Sequence, residues 1–434
     1  MAKNIFFGDL HATTWIARAS TKRRPGIRGW IGALCVTMTA PLSAAAAGFA
    51  PPTAHEGAQI SIVASGLHDP RGMGFGPKSE LYVAEAGTTQ GVFVPPPPPF
   101  VDPATQTRTR CFVDWPVGPA TPGYTGRISK VTANGKVVVV TSGLPSFSTN
   151  TLIGGDRMGA SAVAFAGDRL YALTPGGGCS HAHPTDPNAF IRVFRNGDTA
   201  PIYDLGDYLR THPDSKSPLD GDFEPDGTWY SLIHAFGAFY TMEPNHGVMV
   251  RLQENGALTE VANLWESVAK IDSSGDGDKT YTALIQHGGA FYIGTLGRIT
   301  HDFTASVYRL SRDGTRIEQV AQGLHGVVGL AFDKRNRLYV LETTAAGVSP
   351  PLLDPTKGRL VRVETNGSLT EIVTGLAFPS ALLAGKHGEF YVANCGYHCD
   401  DRSAFPAALT SLQNGQILKV TIPDSPAESD DDES

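Results

Sequence analysis

The sequence predicts an all-β protein: a six-bladed β-propeller, in which an N-terminal strand completes the last blade and closes the ring. Three observations predict it. A tyrosine-containing strand recurs six times, tight-turn dipeptides recur after it, and the last repeat lacks a strand that is present near the N-terminus. Such four-stranded repeats are typical of propellers. The composition agrees, because 49 Gly, 31 Pro and 18% charged residues favour turns and strands over helical bundles.

The recurring strand is a short apolar run that ends on a polar residue. Its copies, in chain order, are LYVAE, LYALT, FYTME, FYIGT, LYVLE and FYVAN. A short apolar strand precedes each copy, and a loop of variable length and an alternating strand follow it. These segments are the first, second and third strands of each predicted blade.

A tight turn joins the third and fourth predicted strands in five blades. The dipeptides are Asn134-Gly135, Asn196-Gly197, Asn255-Gly256, Asp313-Gly314 and Asn366-Gly367. Asn-Gly and Asp-Gly accept positive φ angles, so each predicts a two-residue hairpin turn. The sixth repeat reaches GQILKVTIP and has no fourth strand, but AQISIVASGL near the N-terminus matches it. This strand would close the ring and cover its edges.

The chain divides into three predicted parts. Residues 1–47 combine a basic segment, a short apolar run and small residues, which indicates a secretory signal peptide and a periplasmic or extracellular protein. The apolar run is too short for a membrane span. Residues 58–422 form the propeller, and the acidic residues 423–434 are expected to be disordered. A net charge of −7, with no basic cluster in the mature region, argues against nucleic-acid binding.

The loops that follow the second strands are long in five blades, whereas the tight turns on the opposite side are minimal. We call the side of these loops and of the blade-to-blade connections the loop face, and the other side the hairpin face. The long loops cover residues 86–126, 175–189, 296–305, 343–357 and 395–416. Long loops gathered on one face of a rigid scaffold predict the functional face, and insertion drift is the alternative.

All the cysteines that remain after export lie in these loops, at Cys111, Cys179, Cys395 and Cys399. An even number in an oxidising compartment predicts disulfides, and three pairings are open. The most economical pairing joins the first two, on adjacent blades, and the last two, in one loop. A zinc site made from CGYHC with His181 and His183 is the alternative.

The last residue of the recurring strand is polar in every blade: Glu85, Thr174, Glu243, Thr295, Glu342 and Asn394. It lies at the loop-face end of the second strand, beside the mouth of the central channel. Three carboxylates and an amide there would suit a calcium ion, which prefers several oxygen ligands. The alternative is that each residue caps its strand or holds the neighbouring connection, for instance the backbone around DPRG and LAFPS.

Other candidate residues lie near the same strand ends. His246 follows Glu243 in EPNHG, where a His–carboxylate pair could act as a general base, although Pro, Asn and Gly also favour a plain turn. Arg71 begins the first channel-lining strand and could meet an anionic group of a substrate. Trp229 and Tyr281 lie near the starts of two others and either bind substrate or fill the channel. Because the sequence has no P-loop and no haem-attachment motif, no organic cofactor is predicted.

Three segments resemble the ScyD/ScyE family, NHL-type propellers named for an association with scytonemin biosynthesis: VASGLHDPRGMGFGPKSELYVAEAG, GRLVRVETNGSLTEIVTGLAFPSALL, and FYVANCG with the later NGQILKV. The resemblance covers nearly the whole mature chain and implies a propeller fold and secretion, without a shared catalytic motif. Gluconolactonases, paraoxonase-like lactonases and strictosidine synthase resemble the chain in architecture only. Their plan implies a channel calcium, with Glu85, Glu243, Glu342 and Asn394 as ligands, and the two threonine blades depart from it.

These observations predict an exported propeller that binds a small molecule or a surface component on its loop face. The first alternative is a divalent-metal-dependent hydrolase or lyase that acts on a lactone, an ester or a related small substrate. There the metal would polarise a carbonyl and His246 would move a proton. The second alternative is a scaffold for a protein partner, in which Pro95 to Pro99 supply a stiff polyproline segment. That segment is otherwise a rigid loop.

Overall fold

A computed structural model describes residues 50–88, 120–149, 157–212, 226–272, 277, 279–297, 304–344, 356–397 and 414–423. The chain divides after Ala45, and all the described residues belong to the second unit, 46–434. The predicted signal peptide, the polyproline segment and residues 424–434 of the acidic tail lie outside them. No helix among the described residues is long and apolar enough to cross a membrane.

Six antiparallel sheets form the blades, and the strands of each blade follow one another from the central channel outward. Two strands precede the first blade: β1 (Thr53–Ala54) and β2 (Gln59–Leu67). Blade 1 contains β3 (Pro70–Phe75), β4 (Leu81–Glu85), β5 (Ala120–Val131), β6 (Val137–Thr149) and the short β7 (Arg157–Met158). Blade 2 contains β8 (Ala162–Ala166), β9 (Arg169–Thr174), β10 (Ala189–Val193) and β11 (Thr199–Asp204).

The remaining blades repeat this order. Blade 3 contains β12 (Ser231–Ala235), β13 (Ala238–Glu243), β14 (Val248–Leu252) and β15 (Leu258–Asn263). Blade 4 contains β16 (Tyr281–His287), β17 (Ala290–Thr295), β18 (Thr304–Ser311) and β19 (Ile317–His325). Blade 5 contains β20 (Val327–Phe332), β21 (Leu338–Glu342), β22 (Gly358–Val363) and β23 (Leu369–Leu376). Blade 6 contains β24 (Ala381–Ala384), β25 (Glu389–Asn394) and β26 (Gly415–Thr421).

The ring closes as predicted, because β2 supplies the fourth strand of blade 6. It pairs with β26 in antiparallel register from Gln59 opposite Thr421 to Leu67 opposite Gly415. Two further pairings were not predicted. β1 adds a fifth strand to blade 5 by pairing with β23, and β7 adds one to blade 1 by pairing with β6. Each covers part of an outer strand edge that would otherwise be unpaired.

Two short helices lie in the connections between blades, where the sequence pattern gave no helix. α1 (Leu205–Thr211) follows blade 2, and α2 (Leu264–Ala269) follows blade 3. Each begins at a capping side chain: Asp204 accepts from the Asp207 N–H at 3.1 Å, and Asn263 accepts from the Glu266 N–H at 2.9 Å. These caps satisfy N–H groups that a helix leaves unpaired at its start.

The cores lie between neighbouring blades. The first strands contact one another around the channel, and an apolar cluster fills each of the six junctions. Between blades 2 and 3, the rings of Phe190 and Phe239 lie 5.0 Å apart, and between blades 5 and 6 those of Tyr339 and Phe390 lie 4.6 Å apart. Burial of this apolar surface holds the blades together and fixes the positions of their strand ends.

The prediction of two-residue hairpin turns is wrong, because the turns are longer. In blade 1 the Gly135 N–H donates to Thr132 O, and the Thr132 N–H donates to Lys136 O, both at 2.9 Å. Only the glycine has a positive φ, at 79°. This is a three-residue loop in which a type I turn is followed by a left-handed glycine, and the other four turns have the same pattern of bonds, one residue longer in blade 4. Asn or Asp precedes the glycine because its side-chain oxygen accepts a hydrogen bond inside the turn.

Candidate functional site

Four of the six polar residues that end the second strands, Glu85, Glu243, Glu342 and Asn394, bind the connection that leads into their own blade. Each side-chain oxygen accepts a hydrogen bond from a backbone N–H about one strand pair earlier in the chain. The four bonds are His68 N–H to Glu85 Oε2 (2.6 Å), Thr228 N–H to Glu243 Oε1 (2.7 Å), His325 N–H to Glu342 Oε1 (2.6 Å) and Ala377 N–H to Asn394 Oδ1 (2.8 Å). We call this contact the strand-end latch. It corresponds to the second interpretation of these residues above, since His68 precedes DPRG and Ala377 lies in LAFPS.

Two of the latches include an arginine from the third strand of the same blade. Arg127 donates to Glu85 at 2.7 Å, and Arg359 donates to Glu342. In each pair, the arginine and the glutamate are directly opposite in the register of the two strands. Burial raises the pKa of Glu342 above its usual range, and the Arg359 guanidinium offsets part of that rise. The latch therefore holds a fully buried carboxylate beside a cation.

The latch of blade 3 contains the predicted general base. Glu243 accepts from the His246 backbone N–H at 2.5 Å, so the carboxylate closes the EPNHG turn. Both residues are buried, with His246 only 4% exposed. The observed contact between them uses the main chain of His246, whereas general-base chemistry uses the imidazole ring. The catalytic role of His246 stays a prediction.

The two threonine blades use the same position differently. Thr174 donates to Ala189 O at 3.2 Å, and the Thr295 hydroxyl accepts from the Ser306 N–H at 3.0 Å. Both partners lie at or beside the start of the third strand instead of the connection. A threonine side chain is shorter than that of glutamate, so it reaches the adjacent strand only. The polar repeat in all six blades is thus accounted for by bonds that hold strand ends.

The predicted metal ligands face hydrogen-bond donors. An oxygen that accepts from a backbone N–H does not fit a cation at the same lone pair, because the amide proton occupies the place of the metal. Among the described residues, no three or more His, Cys, Asp or Glu side chains come close enough to hold a metal ion. The calcium prediction therefore depends on a direct metal measurement.

Hydroxyl groups bind neighbouring blades to each other around the channel at the loop face. Ser161 donates to Trp229 O at 2.8 Å, Thr282 donates to Val327 O at 2.5 Å, and Ser380 donates to Pro70 O at 2.5 Å. These bonds lie where the first strands begin. They satisfy carbonyl groups that the sheets leave unpaired at the junctions.

An aromatic bridge crosses the channel mouth beside Arg71. The Tyr230 hydroxyl of blade 3 donates to Ser380 O of blade 6 at 3.1 Å and lies 2.9 Å from the Tyr397 hydroxyl. The Arg71 guanidinium lies 3.6 Å from the centre of the Tyr397 ring and donates to Arg157 O at 2.5 Å. Arg71 lies at the start of β3, is 1% exposed and is covered by Tyr397, and its role in binding an anionic group stays a prediction. Tyr230 and Tyr397 could not be predicted from the sequence, because their partners lie far away in the chain.

The other two predicted substrate-binding residues are buried between blades. Trp229 is 0% exposed and packs in the cluster between blades 2 and 3. Tyr281 packs between blades 3 and 4, and its hydroxyl donates to Leu264 O at 3.1 Å and to Gly277 O at 2.5 Å. These contacts tie α2 to the start of β16. The structure brings neither residue onto the surface of the loop face.

The cysteine predictions are only partly covered by the described residues. Cys395 is disulfide-bonded, and Cys179 begins a short 3₁₀ helix, Cys179–His181. Cys111 and Cys399 lie outside the described residues, so the predicted pairings stay predictions. The two histidines of the zinc alternative have ring nitrogens close to carbonyl oxygens: His181 Nδ1 lies 2.8 Å from Gly177 O, and His183 Nε2 lies 2.8 Å from Ser146 O.

A hollow of about 400 Å³ lies on the loop face of blade 2. Its polar lining comes from the loop after β9, the end of β11, α1 and the connection to blade 3: His183, Asp186, Asp204, Arg210 and Asp226. Arg210 donates to Asp204 at 3.4 Å and also to the buried Asp226. Three prolines (184, 187 and 201) and Tyr203 supply apolar surface. The lining thus carries three carboxylates against one guanidinium.

No family model and no curated protein matches the chain. The ScyD/ScyE resemblance therefore stays a prediction. Similar solved structures include a catalytically inactive virginiamycin B lyase from Staphylococcus aureus with quinupristin, at 11% identity and TM-score 0.42, covering 84% of this chain and 100% of that one. A protein assigned as a gluconolactonase matches at 11% identity and TM-score 0.44, over 85% and 93% of the two chains. A luciferin-regenerating enzyme matches at 10% identity and TM-score 0.46, over 84% and 95%. At identities and TM-scores this low, the likeness carries no inference about chemistry.

Proposed function

We propose that this protein is an exported propeller that binds a small molecule or surface component rich in hydrogen-bond donors, of the sugar class, in the hollow on the loop face of blade 2. One observation carries the proposal: the hollow combines several carboxylates with apolar ring surface. Its volume of about 400 Å³ falls within the range of small-molecule sites. It also lies among the long loops, which the sequence predicts to be functional.

The charge of the hollow supports a ligand that donates hydrogen bonds. Asp186 accepts from the Tyr124 hydroxyl at 2.8 Å, and Asp204 accepts from the Asp207 N–H and from Arg210. Their side chains stay 30% and 39% exposed, so the remaining lone pairs can accept from hydroxyl or ammonium groups of a ligand. Arg210 cannot neutralise them fully, because it also binds the buried Asp226. An anionic ligand would meet an excess of negative charge.

The shape of the hollow supports a ring-shaped ligand. Pro184, Pro187 and Tyr203 present flat apolar surface beside the carboxylates. Sugar rings have apolar C–H faces and hydroxyl edges, which match a site with ring surfaces and a few placed polar groups. The hollow is preformed by α1 and by the Asn188 side chain, which donates to Asp226 O at 2.8 Å and to Gly227 O at 2.7 Å. A preformed site loses less entropy on binding.

The test is a binding titration of the mature protein with glucosamine, glucose and gluconate, followed by saturation-transfer NMR. We expect glucosamine and glucose to bind and gluconate, an anion, to bind least. Asp186→Asn should weaken glucosamine binding, whereas Asp168→Asn, which changes an exposed aspartate on the hairpin face, should not. Equal binding by both variants, or no binding of any of the three ligands, would contradict the proposal.

The hydrolase or lyase alternative is tested separately. It requires a bound divalent metal and turnover of lactones or esters that is lost on treatment with chelator. A screen of both substrate classes on metal-replete protein tests it. Turnover that survives Asp186→Asn but not His246→Gln would favour the alternative over the sugar-binding proposal.

A further inference from the structure

A second cleft lies on the opposite face of the ring, between blades 3 and 4. Its volume is about 1010 Å³, and it opens between the turn after β12, the turn after β16 and the β18–β19 hairpin. These three turns belong to the hairpin face, so the cleft is separate from the hollow proposed above. Apolar side chains, among them Phe236, Tyr240 and Ile317, line part of it. The polar lining contains four arginines, Arg251, Arg309, Arg312 and Arg316, and three acidic residues, Glu260, Asp313 and Glu318.

The acidic side chains of this cleft are already engaged. Glu318 pairs with Arg309 at 2.9 Å, and Glu260 accepts from the Tyr208 hydroxyl at 3.1 Å. Asp313 accepts from the hydroxyls of Ser311 at 2.6 Å and of Thr315 at 2.8 Å. These bonds orient the three carboxylates but leave their negative charges in place, so the four arginines of the lining exceed them by one positive charge.

Two arginines of the cleft have no carboxylate partner. Among the described residues, neither Arg251 nor Arg316 lies within ion-pair distance of an acidic side chain. Arg251 is half-buried, so its guanidinium has lost part of its hydration. A planar guanidinium offers paired N–H donors that match a carboxylate geometrically. The cleft therefore presents unused cationic donors to an incoming anion.

The floor of the cleft is aromatic. The Phe236 ring lies 5.6 Å from that of Phe291, nearly perpendicular to it, and the Arg312 guanidinium lies 4.3 Å from the centre of the Phe236 ring. Phe236 has a positive φ of 51° in the turn after β12, a conformation that costs free energy for a residue with a bulky side chain. The turn holds the ring in place at the cleft despite that cost.

We infer that this cleft binds an organic anion that has an aromatic body and a carboxylate. The aromatic body would pack against Phe236 and Tyr240, and the carboxylate would accept from Arg251 and Arg316. The inference is independent of the sugar site, because it concerns other blades, the other face and the opposite charge. Neutral aromatic molecules and small inorganic anions each satisfy only half of the site, so they should bind much more weakly.

The experiment is isothermal titration of the full mature protein with 2-naphthoate. The neutral isostere 2-naphthylmethanol and inorganic phosphate are titrated in parallel. We expect saturable 2-naphthoate binding at millimolar concentration or below, and at least about tenfold weaker binding of the other two, because charge-assisted bonds to guanidinium are stronger than neutral ones. Equal affinity for 2-naphthoate and 2-naphthylmethanol would overturn the role of the arginines.

Variants locate the site. Arg251→Met and Arg316→Met should each weaken 2-naphthoate binding by about tenfold, since each removes a charge-assisted donor. Arg195→Met is the matched control, because Arg195 is an exposed hairpin-face arginine on blade 2 that pairs with Asp168. Thr259→Trp changes an exposed residue of the cleft rim and should block the cleft without altering the core. Unchanged binding in Thr259→Trp, or an equal loss in Arg195→Met, would overturn the proposal, as would the absence of binding in the wild type.

Discussion

Removing the carboxylate of Glu342 should destabilise the fold strongly, because two partners depend on it. In Glu342→Ala the His325 N–H loses its acceptor, and an unsatisfied buried donor costs about 1–3 kcal/mol. Arg359, only 16% exposed, loses its buried partner at the same time. Breaking a buried ion pair from one side costs about 3–5 kcal/mol in all, and we expect the free energy of unfolding to fall by that amount.

Two further variants separate the components of this effect. Glu342→Gln keeps an oxygen that can accept from the His325 N–H but places its amide NH2 group against the Arg359 donor, so it should cost about 1–2 kcal/mol. Glu371→Ala removes the exposed partner of the same arginine, which Arg359 contacts at 3.0 Å, and should cost less than about 1 kcal/mol. The destabilisation should therefore be largest in Glu342→Ala, smaller in Glu342→Gln and smallest in Glu371→Ala.

Equilibrium urea denaturation of the mature protein, followed by tryptophan fluorescence, measures all three changes. Glu342→Ala within about 1 kcal/mol of the wild type, the level of an exposed ion pair, would refute the strand-end latch. In that case the carboxylate would not be making its buried bonds in solution, and a ligand role for it would regain support.

Further predictions concern pH, the channel mouth and metal. Burial raises the pKa of Glu342, so the folded state holds this proton more tightly than the unfolded chain, and wild-type stability relative to Glu342→Gln should rise as the pH falls from neutral. Thr282→Val leaves Val327 O without its donor and should lower the free energy of unfolding by about 1–3 kcal/mol. Tyr397→Phe should cost only about 0.5–1.5 kcal/mol, because it loses the contact to Tyr230 but keeps the ring under the guanidinium. Chelator should leave the melting temperature unchanged.

Each of these has a result that would count against it. A stability difference that falls with falling pH would mean that Arg359 outweighs burial at Glu342. If Thr282→Val leaves the free energy of unfolding unchanged, water replaces the hydroxyl at the channel mouth. If Tyr397→Phe lowers the free energy of unfolding as much as Tyr397→Ala does, the hydroxyl alone stabilises the bridge and the ring contributes nothing. Stoichiometric calcium that is lost in Glu342→Gln would confirm the metal prediction and contradict the expected insensitivity to chelator.

The sequence predicted the ring because its repeat is local. The first four strands of blades 1 to 5 are consecutive segments, and the period of the tyrosine strands and of the glycine turns is visible without any knowledge of the fold. The closing strand was predictable for the same reason, since it matches the missing segment of blade 6. The two-residue strands β1 and β7 are too short to leave a pattern.

The site was less predictable, because its contacts join distant parts of the chain. The strand-end pattern showed that Glu342 is polar at a repeated position but not which group it binds, and both a cation and a backbone N–H are compatible with a carboxylate. Tyr230 and Ser380 are 150 residues apart in sequence, so their bond follows only from the closed ring. The hollow on blade 2 likewise forms only after α1 packs beside the loop that follows β9.

The latches also bear on where ligands can bind. The polar strand ends are engaged in internal bonds, and Tyr230 and Tyr397 bridge the channel mouth. Both proposed sites lie away from that mouth. The loop-face hollow has an excess of carboxylate, and the hairpin-face cleft has unpaired guanidinium groups, so they select ligands of opposite character. They share no residues. Asp186→Asn should therefore change the affinity for glucosamine only, and Arg316→Met should change the affinity for 2-naphthoate only. If the double variant binds either ligand with a free energy different from that of the corresponding single variant, the blades couple the two sites.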